Sequence, residues 1–159
     1  MIFPDSLTVT AVDTSTGRPL PEVALVLGLK AQRKNNYLVG PIITDDEGEA
    51  QFTKHACESA IANAQKMFVM DYSGDLSSCG KVAEIRLHSP EYIKRMIDQY
   101  EAHPEFWGSG FDSPEELFAG LRSVKNSLFE PATLKVTDNE IAENHAILFL
   151  LRRKQGDRS

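Results

Sequence analysis

The chain lacks the features that mark several large classes of protein. Its net charge is −6 over 159 residues, so it lacks the positive face that sequence-independent binding to nucleic acid requires. Its longest apolar run, Ala146 to Leu151, is far too short to cross a bilayer. The first residues, MIFPDSLTV, lack the basic and apolar regions of a signal peptide. We therefore expect a cytoplasmic protein that binds neither nucleic acid nor membrane.

Cysteine and histidine are scarce, and neither is arranged as a reactive or metal-binding set. Cys57 and Cys79 form no CxxC motif and no disulfide framework, and in the cytoplasm both thiols are expected to be reduced. His55 and His145 have no partners at the spacing of metal ligands. No nucleophile triad or phosphate-binding loop stands out either, so we expect no cofactor, no metal and no catalysis.

What the chain does contain is a run of strand-like segments between residues 7 and 53. From Ser6 to Asp13, apolar residues alternate with β-branched threonine, which is typical of a half-buried strand. Thr16-Gly17-Arg18-Pro19 and Asp45-Asp46-Glu47-Gly48 are typical of turns, because glycine accepts positive φ and proline fixes the exit of the chain. Further strands are predicted at 23–29, 37–44 and 49–53, and Gly40-Pro41 indicates an edge position or a bend.

The pattern changes to helical spacing after Thr53, which we predict to be the N-cap of a helix at 54–66. Two strands at 68–72 and 81–87 then form a hairpin-like pair. Ser89-Pro90 starts a second helix, whose buried stripe would be Tyr92, Ile93, Met96, Ile97 and Tyr100.

Ser113-Pro114 starts a third helix, whose predicted buried stripe runs from Leu117 to Leu128. Two last strands follow, Leu134 to Thr137 and Ala146 to Arg152. The second is apolar on both faces, so we expect it inside a sheet rather than at an edge.

The order of these elements, with the turns TGRP and TDDEG, resembles the transthyretin-like β-sandwich. That group includes the carboxypeptidase regulatory-like domains and hydroxyisourate hydrolase. The resemblance covers about residues 7–88 and implies a mainly β fold, a seven-stranded sandwich with an α+β extension. We accordingly expect a sandwich domain at 1–88, and at 89–159 an appendage of two helices and a β-strand pair. That appendage either completes a sheet or forms a partner-binding face.

The positions that carry catalysis in the hydrolase are occupied by other residues in this chain. The family's first-strand histidine corresponds to Thr10, and the arginine after its second turn corresponds to Glu49. The terminal Tyr-Arg-Gly-Ser of the hydrolase has no counterpart in the closing Gln-Gly-Asp-Arg-Ser. The resemblance therefore implies a related fold without that enzyme's activity.

The best candidate site is the connector between the second and third helices, with His103, Phe106, Trp107 and Phe111. Rigid aromatics on a loop are typical of protein and sugar interfaces, although the same side chains would equally fill the gap between helices and sandwich. His88 with Arg86 would form either an anion site or a solvated sheet face. The carboxylates of Asp45 to Glu49 lack the spacing of a calcium loop and predict a charged turn.

Together these observations favour a non-catalytic protein-interaction module of the bacterial-accessory type, either toxin-neutralising or secretion-associated. Its partner would be another protein. One alternative is a hydrolase with an unrecognised site that combines Cys79 or Asp71 with His88 or His103. The other is a structural homo-oligomer that pairs edge strands.

Overall fold

A computed structural model of the chain describes residues 3–30, 36–67, 82–107, 114–143 and 145–155. In these ranges it has seven strands: β1 (Ser6–Asp13), β2 (Ala24–Lys30), β3 (Asn36–Ile43), β4 (Glu49–Thr53), β5 (Val82–Leu87), β6 (Thr133–Thr137) and β7 (Ala146–Leu151). The helices there are α1 (Lys54–Met67), α2 (Pro90–Ala102), α3 (Pro114–Leu121) and α4 (Asp138–Glu143). Among the described residues, no helix combines the length and the apolar character needed to cross a membrane.

The strands form two sheets, one of three strands and one of four. The three-stranded sheet has the order β4-β1-β7, with β1 antiparallel to β4 and parallel to β7. The four-stranded sheet has the order β3-β2-β5-β6 and is antiparallel throughout. The predictions of β1 to β5 are confirmed to within a residue at each end, and β3, which contains Gly40-Pro41, is an edge strand. The strand predicted at 68–72 lies outside the described residues.

A single hydrophobic cluster draws its side chains from both sheets. The alternation in β1 buries Leu7, Val9 and Ala11 completely while Thr8 and Thr10 stay partly exposed. Burial of each large apolar side chain stabilises the fold by about 1.5–3 kcal/mol relative to exposure. The three-stranded sheet also contributes Ala50, Phe52, Phe149 and Leu151, and the four-stranded sheet contributes Leu25, Leu27, Leu29, Tyr37, Val39, Ala83, Ile85, Leu87 and Val136.

A second, smaller cluster forms where α2 and α3 pack on the four-stranded sheet. β2 is buried along both of its faces: Leu25, Leu27 and Leu29 join the main cluster, whereas Ala24 joins the second. The helices add Ile93, Met96, Phe118 and Leu121 to it. The α2 cap is the predicted one, since the Ser89 hydroxyl accepts a hydrogen bond from the Tyr92 N–H at 3.0 Å.

Two of the predicted helix stripes were partly wrong. Tyr92 is 44% exposed, because it lies beside the buried line of Ile93 and Met96 rather than on it. Leu128 does not belong to α3, which ends at Leu121. It lies in a separate 3-10 turn, Asn126–Leu128, and packs against the main cluster.

The chain after residue 88 supplies one strand to each sheet. β6 pairs with β5, as in Ala83 opposite Val136, and β7 pairs with β1, as in Val9 opposite Ile147. The two strands do not pair with each other, and α4, which the sequence pattern did not predict, connects them. The expected interior position of β7 was wrong: among the described strands β7 lies at the edge of its sheet, and its outer leucines Leu148 and Leu150 are 65% and 58% exposed.

The two predicted turns use glycine in the left-handed region for different reasons. Gly48 has φ +76°, and a Cβ there would lie 2.8 Å from the Leu20 N atom and 3.0 Å from the Ala11 carbonyl oxygen. Gly17 has φ +69°, but nothing lies within 4 Å of the position its Cβ would take. Gly17 therefore meets only a conformational requirement, whereas Gly48 also allows two backbone segments to approach closely.

This pair predicts unequal costs for the same substitution. Gly17→Ala should lower the free energy of unfolding by about 1 kcal/mol, the cost of a left-handed alanine. Gly48→Ala should lower it by about 2–4 kcal/mol, because overpacking against backbone atoms adds to that cost. Urea denaturation of both variants measures the difference, and equal losses would contradict the close approach at Gly48.

Candidate interaction surface

The connector predicted to bind a partner begins at the C-terminal end of α2, which is firmly attached to the fold. The N–H of His103 donates a hydrogen bond to the Gln99 carbonyl at 2.8 Å and closes the helix. The chain then enters a 3-10 turn, Pro104–Trp107. On the other side, α3 is held by buried Phe118, whose ring stacks on Tyr100 with the centroids 4.1 Å apart. Both ends of the connector are thus fixed to one packed helical pair.

The described part of the connector is exposed. The side chains of His103 and Glu105 are 60% and 63% exposed, and His103 Nδ1 lies 3.4 Å from Glu105 Oε1. The backbone places Phe106 and Trp107 in the same turn. The side chains of Phe106 and Trp107, and the whole of Phe111, lie outside the described residues, so their burial stays a prediction.

Acidic side chains surround this connector on both helices, a feature that the aromatic pattern did not reveal. The exposed carboxylates are those of Asp98, Glu101, Glu105, Glu115 and Glu116. Arg122 forms an ion pair with Glu101 at 2.8 Å, which leaves a clear acidic excess at this end of the pair. The acidic residues on either side of the connector in the sequence could have predicted this excess of negative charge.

A buried asparagine joins this helical pair to the sheet below. The Asn126 amide donates hydrogen bonds to the carbonyls of Ala24 at 2.9 Å and His88 at 2.8 Å, and its Oδ1 accepts one from the Ala24 N–H at 2.8 Å. Asn126 is 1% exposed. Its three hydrogen bonds are made with Ala24 and His88, which are 102 and 38 residues away in sequence, so no local pattern marked it.

The expectation of a solvated or anion-binding His88 was wrong, because the side chain is buried under α2. Its Nε2 lies 3.2 Å from the Met96 sulfur, and its ring centroid lies 5.0 Å from that of Tyr92. Burial among these groups lowers the pKa of His88 from 6.5 to about 4. Arg86 points elsewhere and bonds Glu84, and this hydrogen bond holds the pKa of the Glu84 carboxyl below its ordinary value.

The residues of the rival hydrolase reading are not brought together in the described part of the chain. Asp71 and Cys79 lie outside it, His88 is buried, and His103 is exposed at the end of α2. The described residues also contain no group of three or more potential metal ligands. The Asp45 turn is confirmed as a turn, since Asp45 Oδ1 accepts hydrogen bonds from the N–H groups of Glu47 at 2.9 Å and Glu49 at 3.0 Å.

A buried carboxylate, Asp13, was also missed by the sequence analysis. It accepts hydrogen bonds from the Ser15 hydroxyl and from Arg153 Nε at 2.8 Å, and so connects the ends of β1 and β7. Burial raises the pKa of Asp13, but the hydrogen bonds from Ser15 and Arg153 outweigh it and hold the pKa below its ordinary value. Because both oxygens of the Asp13 carboxylate accept hydrogen bonds, this side chain has a structural role.

Comparison with known proteins gives little support for any family. No family model matches the chain, and no curated protein sequence is significantly similar to it. Among solved structures, a crystal structure of (S)-allantoin synthase is similar with a TM-score of 0.42 and 14% identity. The match covers 92% of this chain but only 39% of the synthase chain, and a TM-score this low assigns neither fold nor activity.

Asn126→Ala should be strongly destabilising. The substitution leaves the Ala24 N–H and the His88 carbonyl without a hydrogen-bond partner in a buried site. Each unpaired group lowers the free energy of unfolding by roughly 1–3 kcal/mol. We expect a loss of about 3 kcal/mol in urea denaturation. The neighbouring exposed Ser127→Ala is the matched control and should change stability by less than about 0.5 kcal/mol; similar losses for both would contradict the network.

His88 predicts a loss of stability in mild acid. Above pH 6.5 the imidazole is neutral in both the folded and the unfolded state. As the pH falls from 6.5 toward 4, the imidazole of His88 binds a proton in the unfolded chain but not in the folded chain. The free energy of unfolding therefore falls by up to about 3 kcal/mol. Unfolding free energies of the wild type and His88→Leu, measured across this range, should diverge accordingly. Parallel pH profiles would contradict the buried neutral histidine.

Proposed function

We propose that this chain is a non-catalytic protein-interaction module. Its binding face is the connector that carries His103, Phe106, Trp107 and Phe111. The observation that carries the proposal is the exposed turn at 103–105, which leads into the aromatic residues and is attached at both ends to a packed helical pair. Fixed ends reduce the conformational entropy that a binding segment has to lose when a partner binds.

The charge around the connector favours a partner with a basic surface. Carboxylates at Asp98, Glu105, Glu115 and Glu116 would speed the encounter with such a partner and exclude acidic ones. A small acidic cytoplasmic protein that masks a basic surface fits a toxin-neutralising or secretion-associated role.

We propose a transthyretin-like sandwich as the architecture that supports this face. The shared core of the two sheets supports this, since both contribute inward-facing side chains to one cluster. The turns at Gly17 and Gly48 and the helix α1 directly after β4 also match the order of elements on which the resemblance rests. The helices α2 and α3 would then be an addition to the outer face of the four-stranded sheet.

The test combines capture of the partner with a matched pair of variants. A photoreactive residue at Glu105 should repeatedly capture one protein in cells, whereas the same residue at Glu47, on the Asp45 turn, should not. With that partner purified, Trp107→Ala should reduce the affinity at least about tenfold and leave the melting temperature nearly unchanged. Tyr92→Ala, at an exposed aromatic residue near the start of α2, is the control and should bind normally.

The same binding assay measures the contribution of charge. Glu115→Lys with Glu116→Lys should slow association and reduce its salt dependence, whereas Asp46→Lys with Glu47→Lys should have little effect. If Trp107→Ala unfolds the chain, Trp107 belongs to the core. If the two charge-reversed proteins bind alike, the acidic surface is not the binding face.

A further inference from the structure

The edge strand β7 exposes large apolar side chains where its neighbours in the sheet expose mostly polar ones. Leu148 and Leu150 are 65% and 58% exposed, among the most exposed large apolar residues of the described chain. On the same outer face, β1 presents Thr8 and Thr10, and β4 presents Gln51. Val12 of β1, which is partly buried, adjoins them opposite Leu150. The most exposed apolar side chains of this face therefore lie on β7, at the edge of the sheet.

The backbone of β7 has hydrogen-bonding groups that no strand of the described chain uses. The carbonyls of His145 and Leu151 accept hydrogen bonds from Thr8 and Thr14 at 2.8 and 3.0 Å, so the odd-numbered residues face β1. Successive residues of a strand direct these groups to opposite edges. Ala146, Leu148 and Leu150 thus direct theirs away from β1, where no other described strand pairs with them.

This open edge is short, and its C-terminal limit is fixed. The Glu130 N–H donates to the Arg152 carbonyl at 2.8 Å, and Phe129 forms a β-bridge with Arg153. The segment at 128–130 therefore covers the edge beyond Leu151. Proteins usually protect an exposed edge with a charge, a proline or a bulge, and Ala146–Leu151, AILFLL, has neither charge nor proline.

The two ends of this strand carry opposite charges. Glu140 and Glu143 are exposed on α4, just before β7, and Arg152 and Lys154 are exposed just after it. No ion pair joins Arg152 or Lys154 to a carboxylate within the described ranges. If a second copy of the strand paired antiparallel with the first, the acidic end of each copy would lie beside the basic end of the other. A parallel copy would instead place like charges together.

We propose that β7 pairs antiparallel with β7 of a second copy of this chain, centred on Leu148. In this register Leu148 faces Leu148 of the other copy, and Ala146 faces Leu150. It uses all three residues with open backbone groups and forms about six hydrogen bonds. A shift of two residues toward the C-terminus would place Ala146 opposite Arg152, whose carbonyl is already occupied by Glu130. The result is a continuous six-stranded sheet.

The small area of this strand-to-strand interface limits the expected affinity of the dimer. Three facing residue pairs bury less than the roughly 1,200 Å² of a standard stable interface. We therefore expect a dimer that dissociates on dilution, with a dissociation constant in the micromolar range, about 1–100 μM.

Sedimentation velocity of the full chain between about 5 and 500 μM tests the association. The wild type should shift from monomer to dimer across this range. Leu148→Lys should weaken dimerisation at least about tenfold, because it places two like charges face to face on the symmetry axis. Leu38→Lys, at a 45% exposed leucine on the edge strand of the other sheet, is the matched control and should dimerise normally. A wild type that stays monomeric would overturn the proposal, as would equal effects of the two lysines.

Cysteine crosslinking tests the register, in a Cys79→Ser background. Leu148→Cys should oxidise to a covalent dimer, because facing Cα atoms about 5.5 Å apart lie within disulfide reach. Leu150→Cys alone should not, but it should link to Ala146→Cys when the two proteins are mixed. If Leu148→Cys and Leu150→Cys each self-link equally well, the strands are parallel and the proposed register is wrong.

Discussion

The burial of β2 on both faces is the constraint on which the rest of the structure depends. One face of this strand supplies Leu25, Leu27 and Leu29 to the cluster shared by the two sheets. The other face, represented by Ala24 and Val26, is also buried, and the Ala24 end is covered by α2 and α3. An apolar strand in the middle of a sheet requires a cover on both sides. The helical pair, and with it the exposed connector, exists at this position because the sheet has to be covered.

Buried polar groups fix how neighbouring segments of the structure align. Asn126 satisfies backbone groups of β2 and of the segment after β5 in a site without solvent, and Asp13 connects the end of β1 to the end of β7 through Arg153. Each is a single side chain that would cost free energy if it lost its partners. Apolar contacts determine that the layers pack, whereas the Asn126 hydrogen bonds align the segment after α3 with the sheet below it, and the Asp13 hydrogen bonds align β7 with β1 within one sheet.

Local sequence signals predicted the elements well and their neighbours less well. Alternation located β1, Thr53 and Ser89 were identified as helix caps, and Gly17 and Gly48 as turn glycines, because each effect acts within a few residues. The prediction for His88 was wrong because alternation along β5 assigned it to the polar face. The helix α2, which comes after it in the chain, folds back over this side chain and buries it. α4 is only six residues long and has too few turns for a helical period to be recognised.

What the sequence by itself determined is the position of the described strands, turns and caps, along with the acidic balance. The tertiary structure alone decided that β6 and β7 join different sheets, that Asn126 and Asp13 are buried, and that β7 lies at an edge with its leucines outward. The physical reason is that pairing partners and burial depend on contacts between segments separated by up to 140 residues. A strand's own pattern states which residues it prefers to bury, but not whether a neighbour is present to bury them.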